Sequence, residues 1–297
     1  MLTLRDINVA TGSKDASIYS DLYKEVYGCR PYNPTFESVE AFDADFEYLS
    51  LKLDKQITYE QDRQASNFLK FTARVAATMY LVENATRERA IEIIAEAEGI
   101  TTILSAMKTH SSNATVQEYG CGALVILALN DNNQVTIAEA GGIITILSAM
   151  KFHLYNANVQ EYCCGALMNS AVNDYNKVTI AAEGGITMIL SAMKTYSINA
   201  EVQEYGCSAL WKLAENENNK VVIADEGGIA RIVSAMNDHR KKTYVQEYGC
   251  AALQNLAATE NNKGKIVHAK GVALILFAMK THPYNANVQH YGCAALG

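Results

Sequence analysis

The sequence has very little proline, no long apolar run and no excess of positive charge. Only 3 of its 297 residues are proline and 49% are hydrophobic, which excludes a collagen-like or largely disordered chain. No stretch of about 18 uncharged apolar residues is present, so we expect no membrane span. The segment Met1–Asp6 lacks the basic and apolar regions of a secretory signal. The net charge of −7 argues against nucleic acid as the main partner, because phosphate binding requires cationic side chains.

The cysteines recur at a spacing that excludes a disulfide framework. Five of the 7 cysteines are 43 residues apart: Cys121, Cys164, Cys207, Cys250 and Cys293. Neighbouring repeats of a helical array lie about 10 Å apart, whereas a disulfide needs α-carbons about 4.4–6.8 Å apart, so this series cannot pair along itself. We interpret its members as buried free thiols of a reducing, cytoplasmic compartment. Chance explains the adjacent pair Cys163 and Cys164 more readily than a redox role does.

The same 43-residue period extends through everything after about residue 98. The string VQEYGC, or a close variant, begins at five valines in frame: Val116, Val159, Val202, Val245 and Val288. Glycines and methionines keep this frame without any insertion. A fixed period of about 20–50 residues indicates a solenoid and not a single globular core.

The sequence pattern of each unit predicts three helices, as the unit that contains residues 177–215 illustrates. Residues 177–183 form a short helix that ends at Gly184, because glycine accepts the left-handed conformation found after a helix. A second helix begins at Ile186, where apolar residues follow at i+3, i+4 and i+7. A third helix covers Glu201–Glu215 and follows a polar loop in which Asn199 is the expected cap. Strand-like alternation is absent, and this excludes a propeller.

This three-helix unit resembles an armadillo repeat. The resemblance rests on the 43-residue length, the Gly-Gly corner before the second helix and the VQE-x-x-x-x-AL-x-x-LA pattern of the third. The clearest third-helix cores are Leu210–Ala214 and Leu253–Ala257, and the resemblance covers about residues 98–297. It implies an all-α fold, a right-handed α-α superhelix of stacked repeats. Many armadillo repeats begin the second helix with proline, and this sequence does not.

The first 97 residues differ from the repeats. We predict an N-terminal helical cap over residues 1–66 and a degenerate first repeat over residues 67–97. Two segments, Asp21–Pro31 and Phe71–Thr78, weakly resemble small uncharacterised bacteriophage proteins, which suggests a viral source and no function. The array stops within a third helix, so we expect its last repeat to be incomplete and either continued in a longer chain or covered by a partner.

No residue pattern indicates catalysis, a cofactor or a metal. A cysteine that recurs at a structural period indicates packing and not a nucleophile. Four histidines recur in the loop before the third helix: His110, His153, His239 and His282. Residues one repeat apart cannot share a metal, whose ligands lie within about 2.0–2.1 Å of one centre, so we interpret them as solvated loop residues. Phosphate-binding glycine motifs are absent. We therefore predict a protein that is not an enzyme and has no cofactor.

The third helices contain the candidate partner-binding residues. Armadillo arrays line a concave groove with these helices, and the resemblance places the peptide-binding asparagine at Asn169 and Asn255, with Lys212 in the repeat between them. Small residues replace the family's tryptophan, and Trp211 lies three positions beyond one of them. Three further series are in frame: Glu118, Glu161, Glu204 and Glu247; Gln117, Gln160, Gln203 and Gln246; Tyr119, Tyr162, Tyr205 and Tyr248.

The glutamate series suggests a basic partner. A row of carboxylates about 10 Å apart, above small residues at 122, 165, 208 and 251, would leave room for lysine or arginine side chains of an extended partner. The alternative is that glutamate is simply favoured near the helix N-terminus by the helix dipole. We expect the tyrosines to be half-buried between repeats.

Together these patterns predict a protein-interaction scaffold that binds an extended, basic peptide or protein partner along the groove. The alternative is a structural or self-assembling element that docks end to end through its C-terminal repeat.

Overall fold

The computed structural model describes residues 2–3, 35–36, 91, 95 and 98–297. The predicted cap (1–66) and degenerate repeat (67–97) therefore lie almost wholly outside the described residues. Two short strands, β1 (Leu2–Thr3) and β2 (Thr35–Phe36), pair antiparallel with Leu2 opposite Phe36. No alternating sequence pattern indicates this pairing. The chain divides into two compact units, Met1–Gly120 and Cys121–Gly297.

Fourteen α-helices occupy residues 98–297 and recur in threes. The short helices have 9 residues each: α3 (Asp131–Glu139), α6 (Asp174–Ala182), α9 (Glu217–Asp225) and α12 (Glu260–His268). The middle helices have 11 residues each: α1 (Gly99–Thr109), α4 (Gly142–Phe152), α7 (Gly185–Thr195), α10 (Gly228–Asp238) and α13 (Gly271–Thr281). The long helices are α2 (Ala114–Leu127), α5 (Ala157–Ser170), α8 (Ala200–Leu213), α11 (Thr243–Leu256) and α14 (Ala286–Leu296). This order confirms the predicted three-helix repeat and the all-α architecture.

Two glycines shape the corner between the short and middle helices, and each has its own reason. Gly184 has a positive φ of 78°, a conformation that a side chain disfavours. Gly185 is the first residue of α7, where a β-carbon would lie 2.7 Å from the carbonyl oxygen of Ile180. The middle helix therefore begins one residue before the predicted Ile186. Glu98 and Lys270 occupy the position of Gly184 in two other repeats and keep its positive φ, at 58° and 65°.

The core of each repeat lies between its middle and long helices. The predicted apolar face of α7 is confirmed, because Ile186, Ile189, Leu190 and Met193 are all buried. In the second unit each long helix packs along the next, α5 on α8, α8 on α11 and α11 on α14. The long helices therefore form a continuous layer in this unit.

A row of buried asparagines joins neighbouring short helices. Asn176 donates from Nδ2 to the carbonyl oxygens of Ser170 and of Gln134, one repeat earlier, both at 3.1 Å. Asn219 makes the same two bonds, to Leu213 and Lys177, also at 3.1 Å. Each asparagine therefore satisfies two backbone carbonyls of the preceding repeat and joins that repeat to its own.

Among the described residues no single helix is long and apolar enough to cross a membrane. Within the same residues only the pair α3 and α4, bent by 72°, reaches that length and apolarity jointly.

Candidate functional site

The candidate glutamates, glutamines and tyrosines lie in the first half of the long helices, whereas Asn169, Asn255, Trp211 and Lys212 lie near the helix ends. Asparagine side chains cap four of the five long helices. Asn199 accepts a hydrogen bond from the backbone N–H of Val202 at 2.9 Å, which confirms the predicted cap. Asn156 and Asn285 cap α5 and α14 in the same way, at 3.0 and 2.8 Å. Lys242 stands at this position before α11 and makes no side-chain cap bond.

The glutamine series is part of the interior. Gln117, Gln160, Gln203 and Gln246 are at most 1% exposed. Each donates from Nε2 to two backbone carbonyls, one in the middle helix and one in the following loop, at 2.8–3.0 Å. The predicted placement of these glutamines on a partner-binding surface is therefore corrected. They connect the middle helix, the loop and the long helix of one repeat.

The two asparagines assigned from the family resemblance form bonds between repeats. Asn169 donates from Nδ2 to the carbonyl oxygen of Val125 at 2.7 Å, and Asn255 donates to that of Trp211 at 3.1 Å. Each bond links the end of one long helix to the preceding long helix. Asn169 is buried, whereas Asn255 is half-buried. The Nδ2 group of each is therefore already bound to a backbone carbonyl of the chain.

The tyrosine series is half-buried, as predicted. A β-carbon at Gly165 would lie 3.3 Å from Cδ1 of Tyr205, and one at Gly122 would lie 3.6 Å from the same atom of Tyr162. Each tyrosine ring thus covers the small residue of the preceding long helix. At these two repeats the space predicted for a partner's lysine or arginine is filled by the chain's own tyrosine.

An aromatic cluster lies on the long helices α8, α11 and α14. Trp211 stacks on Tyr248 with ring centroids 6.0 Å apart, and Tyr291 meets Trp211 edge-on at 5.5 Å. The ammonium of Lys212 lies 4.0 Å from the centroid of a Trp211 ring, a cation–π contact. All four side chains are half-buried, so the cluster is accessible from solvent.

Three glutamates of the long helices in the second unit form what we call the acidic row: Glu161, Glu204 and Glu247. Burial raises the pKa of Glu204, the charges of Glu201, Glu161 and Glu247 raise it further, and the nearby charge of Lys242 partly offsets this rise. Among residues 98–297 no lysine or arginine forms an ion pair with Glu204 or Glu247. Glu247 is buried and accepts a hydrogen bond from Nδ2 of Asn287 at 3.0 Å.

The acidic row also affects the tyrosines beside it. Burial raises the pKa of Tyr248 to about 12, with further contributions from Glu247 and Glu204. Glu204 is the fifth residue of α8, beyond the first turn, where the helix dipole acts. The dipole therefore gives little support to a carboxylate at this position. Glu118 has the same place in α2 and is half-buried, in the first unit.

Two of the in-frame histidines connect repeats, a role that their spacing in the sequence does not indicate. Nε2 of His239 lies 2.7 Å from the carbonyl oxygen of Ser197, and that of His282 lies 3.1 Å from that of Arg240. These rings are not simply solvated loop residues. Within the part of the chain that the structure describes, no three His, Cys, Asp or Glu side chains are arranged to hold a metal ion.

Comparison with known proteins supports the repeat architecture. The family model of the LRRK2 ARM repeat matches residues 90–223. An engineered protein, whose crystal structure comes from the Northeast Structural Genomics Consortium, is similar in fold, with a TM-score of 0.66 and 23% identity over 85% of this chain and 95% of that chain. No curated protein matches the sequence. No finding supports the bacteriophage resemblance of the N-terminal segments. The armadillo resemblance is thus confirmed over residues 90–223, and residues 98–297 form an array of helical repeats.

Proposed function

We propose that this repeat scaffold is not an enzyme and binds an extended, basic protein segment along the long helices of its second unit. The acidic row would contact the lysine or arginine side chains of that segment. The tyrosines and the Trp211 cluster would provide apolar contacts beside them.

The observation that supports the proposal most strongly is the environment of Glu204. Its carboxylate is half-buried among three other carboxylates and forms no ion pair within residues 98–297. Such a charge opposes folding, and a cationic partner would relieve the repulsion. Burial and the neighbouring carboxylates raise the pKa of Glu204 more than the nearby charge of Lys242 lowers it, so Glu204 is a candidate site for a further cation.

The chemistry of the aromatic cluster also fits a cationic partner. Lys212 already lies over Trp211, so this ring binds a cation within the chain itself. An arginine or lysine of a partner would meet the exposed parts of Tyr248 and Tyr291 in the same way. Trp211 therefore stays in the proposed site, although it is not at the family's tryptophan position.

Peptide selection from a random display library on the full chain tests the proposal. The selected peptides are then titrated against the chain and against the triple variant Glu161→Gln, Glu204→Gln and Glu247→Gln. The matched control is Glu139→Gln, Glu183→Gln and Glu260→Gln, which removes the same charge from exposed residues of the short helices and the corner beside them.

We expect basic peptides whose affinity falls at least tenfold in the acidic-row variant and little in the control. Binding should also weaken as salt is raised, because the contacts are only partly shielded from solvent. Peptides that bind both variants and the parent chain equally would contradict the role of the acidic row.

A reducing cytoplasm remains the proposed location, and the free state of the six described cysteines supports it.

A further inference from the structure

Cys163 is an exception within its own repeat series. The other four long helices have glycine at this position: Gly120, Gly206, Gly249 and Gly292. These glycines face the methionine of the middle helix, and a β-carbon on any of them would lie 2.5–2.6 Å from its Cγ. A side chain at this position therefore requires the methionine to move, so packing alone favours glycine over cysteine.

The unusual thiol lies against a thiol of the preceding long helix. Sγ of Cys163 is 3.2 Å from Sγ of Cys121, and both side chains are fully buried. Among the six cysteines that the structure describes, this is the one thiol pair within hydrogen-bond distance. A disulfide has an S–S distance of about 2.05 Å, so an approach of roughly 1.2 Å would join the two sulfurs.

We propose that Cys121 and Cys163 are an oxidisable dithiol, which closes to a disulfide between neighbouring long helices when the protein meets hydrogen peroxide. This modification site is independent of the proposed peptide binding. The series at 43-residue spacing still cannot pair along itself. Cys163 pairs with Cys121 because it lies one residue outside that series.

The chemistry needs only the two thiols and the peroxide. One thiolate attacks a peroxide oxygen, the O–O bond breaks, and hydroxide leaves to give a sulfenic acid. The second thiol then attacks the sulfenic sulfur, the S–O bond breaks and water leaves. In total two thiols and one peroxide give one disulfide and two waters, and two electrons pass from sulfur to oxygen.

Burial controls how quickly this happens. Burial and the bond with Cys121 raise the pKa of Cys163 well above its ordinary value, which keeps the thiolate scarce in the closed structure. Oxidation therefore proceeds during local opening of the repeat and is slow in a reducing compartment. Once formed, the disulfide restricts the unfolded chain and should raise the thermal midpoint by about 5 °C or more.

Peptide mapping of the peroxide-treated full chain tests the proposal. The free thiols are alkylated, and the chain is digested with trypsin without reduction. Cleavage after Lys108, Lys151 and Lys177 gives one peptide with Cys121 and a second with both Cys163 and Cys164. We expect these two peptides to be joined and to separate on reduction.

Two variants test whether Cys163 or its neighbour Cys164 forms the link to Cys121. Cys163→Gly installs the residue of the other four repeats, so it should fold, and it should lose both the joined peptides and the rise in thermal midpoint. Cys164→Ser should keep both. A link that survives in Cys163→Gly, a bond between Cys163 and Cys164, or over-oxidised thiols without any link would overturn the proposal.

Discussion

At the scale of single residues, a few side chains occupy positions where their chemistry opposes folding. Glu204 is a half-buried carboxylate in an acidic environment, and Lys270 has a left-handed backbone. Both residues depart from what folding alone would select. Each can be replaced by a residue that folding prefers, and both replacements should raise the free energy of unfolding.

The first prediction concerns Glu204→Gln. Burial, followed by neighbouring carboxylates, raises the pKa of Glu204 above its usual value of 4.5, so the folded chain binds the proton more tightly than the unfolded chain. Tighter proton binding by Glu204 therefore stabilises the folded chain most at acidic pH. This stabilisation is lost as pH rises from 4.5 through the raised pKa of the folded chain. Glu204→Gln should increase the free energy of unfolding at neutral pH by up to about 0.5 kcal/mol, because the site is partly solvated.

Urea titrations at several pH values provide the measurement. The variant should be more stable than the parent at neutral pH and nearly equal to it at acidic pH. If the same variant also binds basic peptides more weakly, the carboxylate serves binding at the expense of folding. Lower stability at neutral pH would show that Glu204 is stabilising and would contradict the electrostatic argument.

The second prediction concerns the left-handed corner. A side chain in this conformation costs about 1–2 kcal/mol, and glycine costs about 0.5–1 kcal/mol in unfolded-chain entropy. Lys270→Gly should therefore stabilise the chain by about 0.5–1 kcal/mol in chemical denaturation. The reciprocal control is Gly184→Ala, which has open space around its new methyl group and should lose about 1 kcal/mol through its backbone alone. Equal stability of the parent and both variants would count against the role of φ.

At the scale of helices, the caps and the buried polar rows determine where each element begins and how it meets its neighbour. Asn199 begins α8, Gln203 joins three elements of one repeat, and Asn219 joins two successive repeats. These three roles are distinct although all three side chains are amides. The solvent-facing residues between them differ from repeat to repeat.

The third prediction adds a missing cap. Lys242 occupies the position where α5, α8 and α14 have a capping asparagine. Lys242→Asn should stabilise the chain by about 1 kcal/mol, because a backbone N–H at the start of α11 gains a partner. Asn199→Ala should lose a similar amount. Thermal unfolding followed by circular dichroism provides the measurement, and an unchanged midpoint in both variants would argue against side-chain capping at these helices.

The helices themselves could be predicted from the sequence, whereas the direction of the polar side chains could not. Periodicity placed α7 and its buried face correctly, with a start one residue late because Gly185 is inside the helix. The pattern VQE placed Gln203 beside Glu204, and adjacent positions on a helix face different sides. Only the geometry showed that Gln203 points inward while Glu204 remains half-exposed. The asparagine row had an in-frame signal at 133, 176, 219 and 262, but that signal does not name the partner carbonyls.

At the scale of the whole molecule, the chain is acidic, with a net charge of −7, and repeats one unit without insertion. In such arrays each repeat contacts mainly its neighbours, so stability is a sum of local terms. A net negative charge opposes contact between copies and would steer basic partners toward the chain. This favours the binding of a partner over end-to-end assembly of identical chains.

The fourth prediction addresses assembly directly. We expect a sedimentation coefficient that stays constant as the protein concentration is raised, because like-charged copies repel each other. Raising the salt concentration tests whether charge repulsion keeps the copies apart. Salt screens that repulsion, so copies that share an apolar contact would then associate. A coefficient that increases with concentration at low salt would instead support the self-assembling alternative.

The asparagine row has a consequence for how such a chain can change over time. Every bond of the row joins a side chain to a carbonyl of the preceding unit, and each unit offers the same carbonyl to the next. Duplication or loss of one whole unit by recombination would leave a junction of the same kind as those already present. Deletion of a few residues would instead misalign the amide and its carbonyl. Array length is therefore free to vary only in steps of one complete unit.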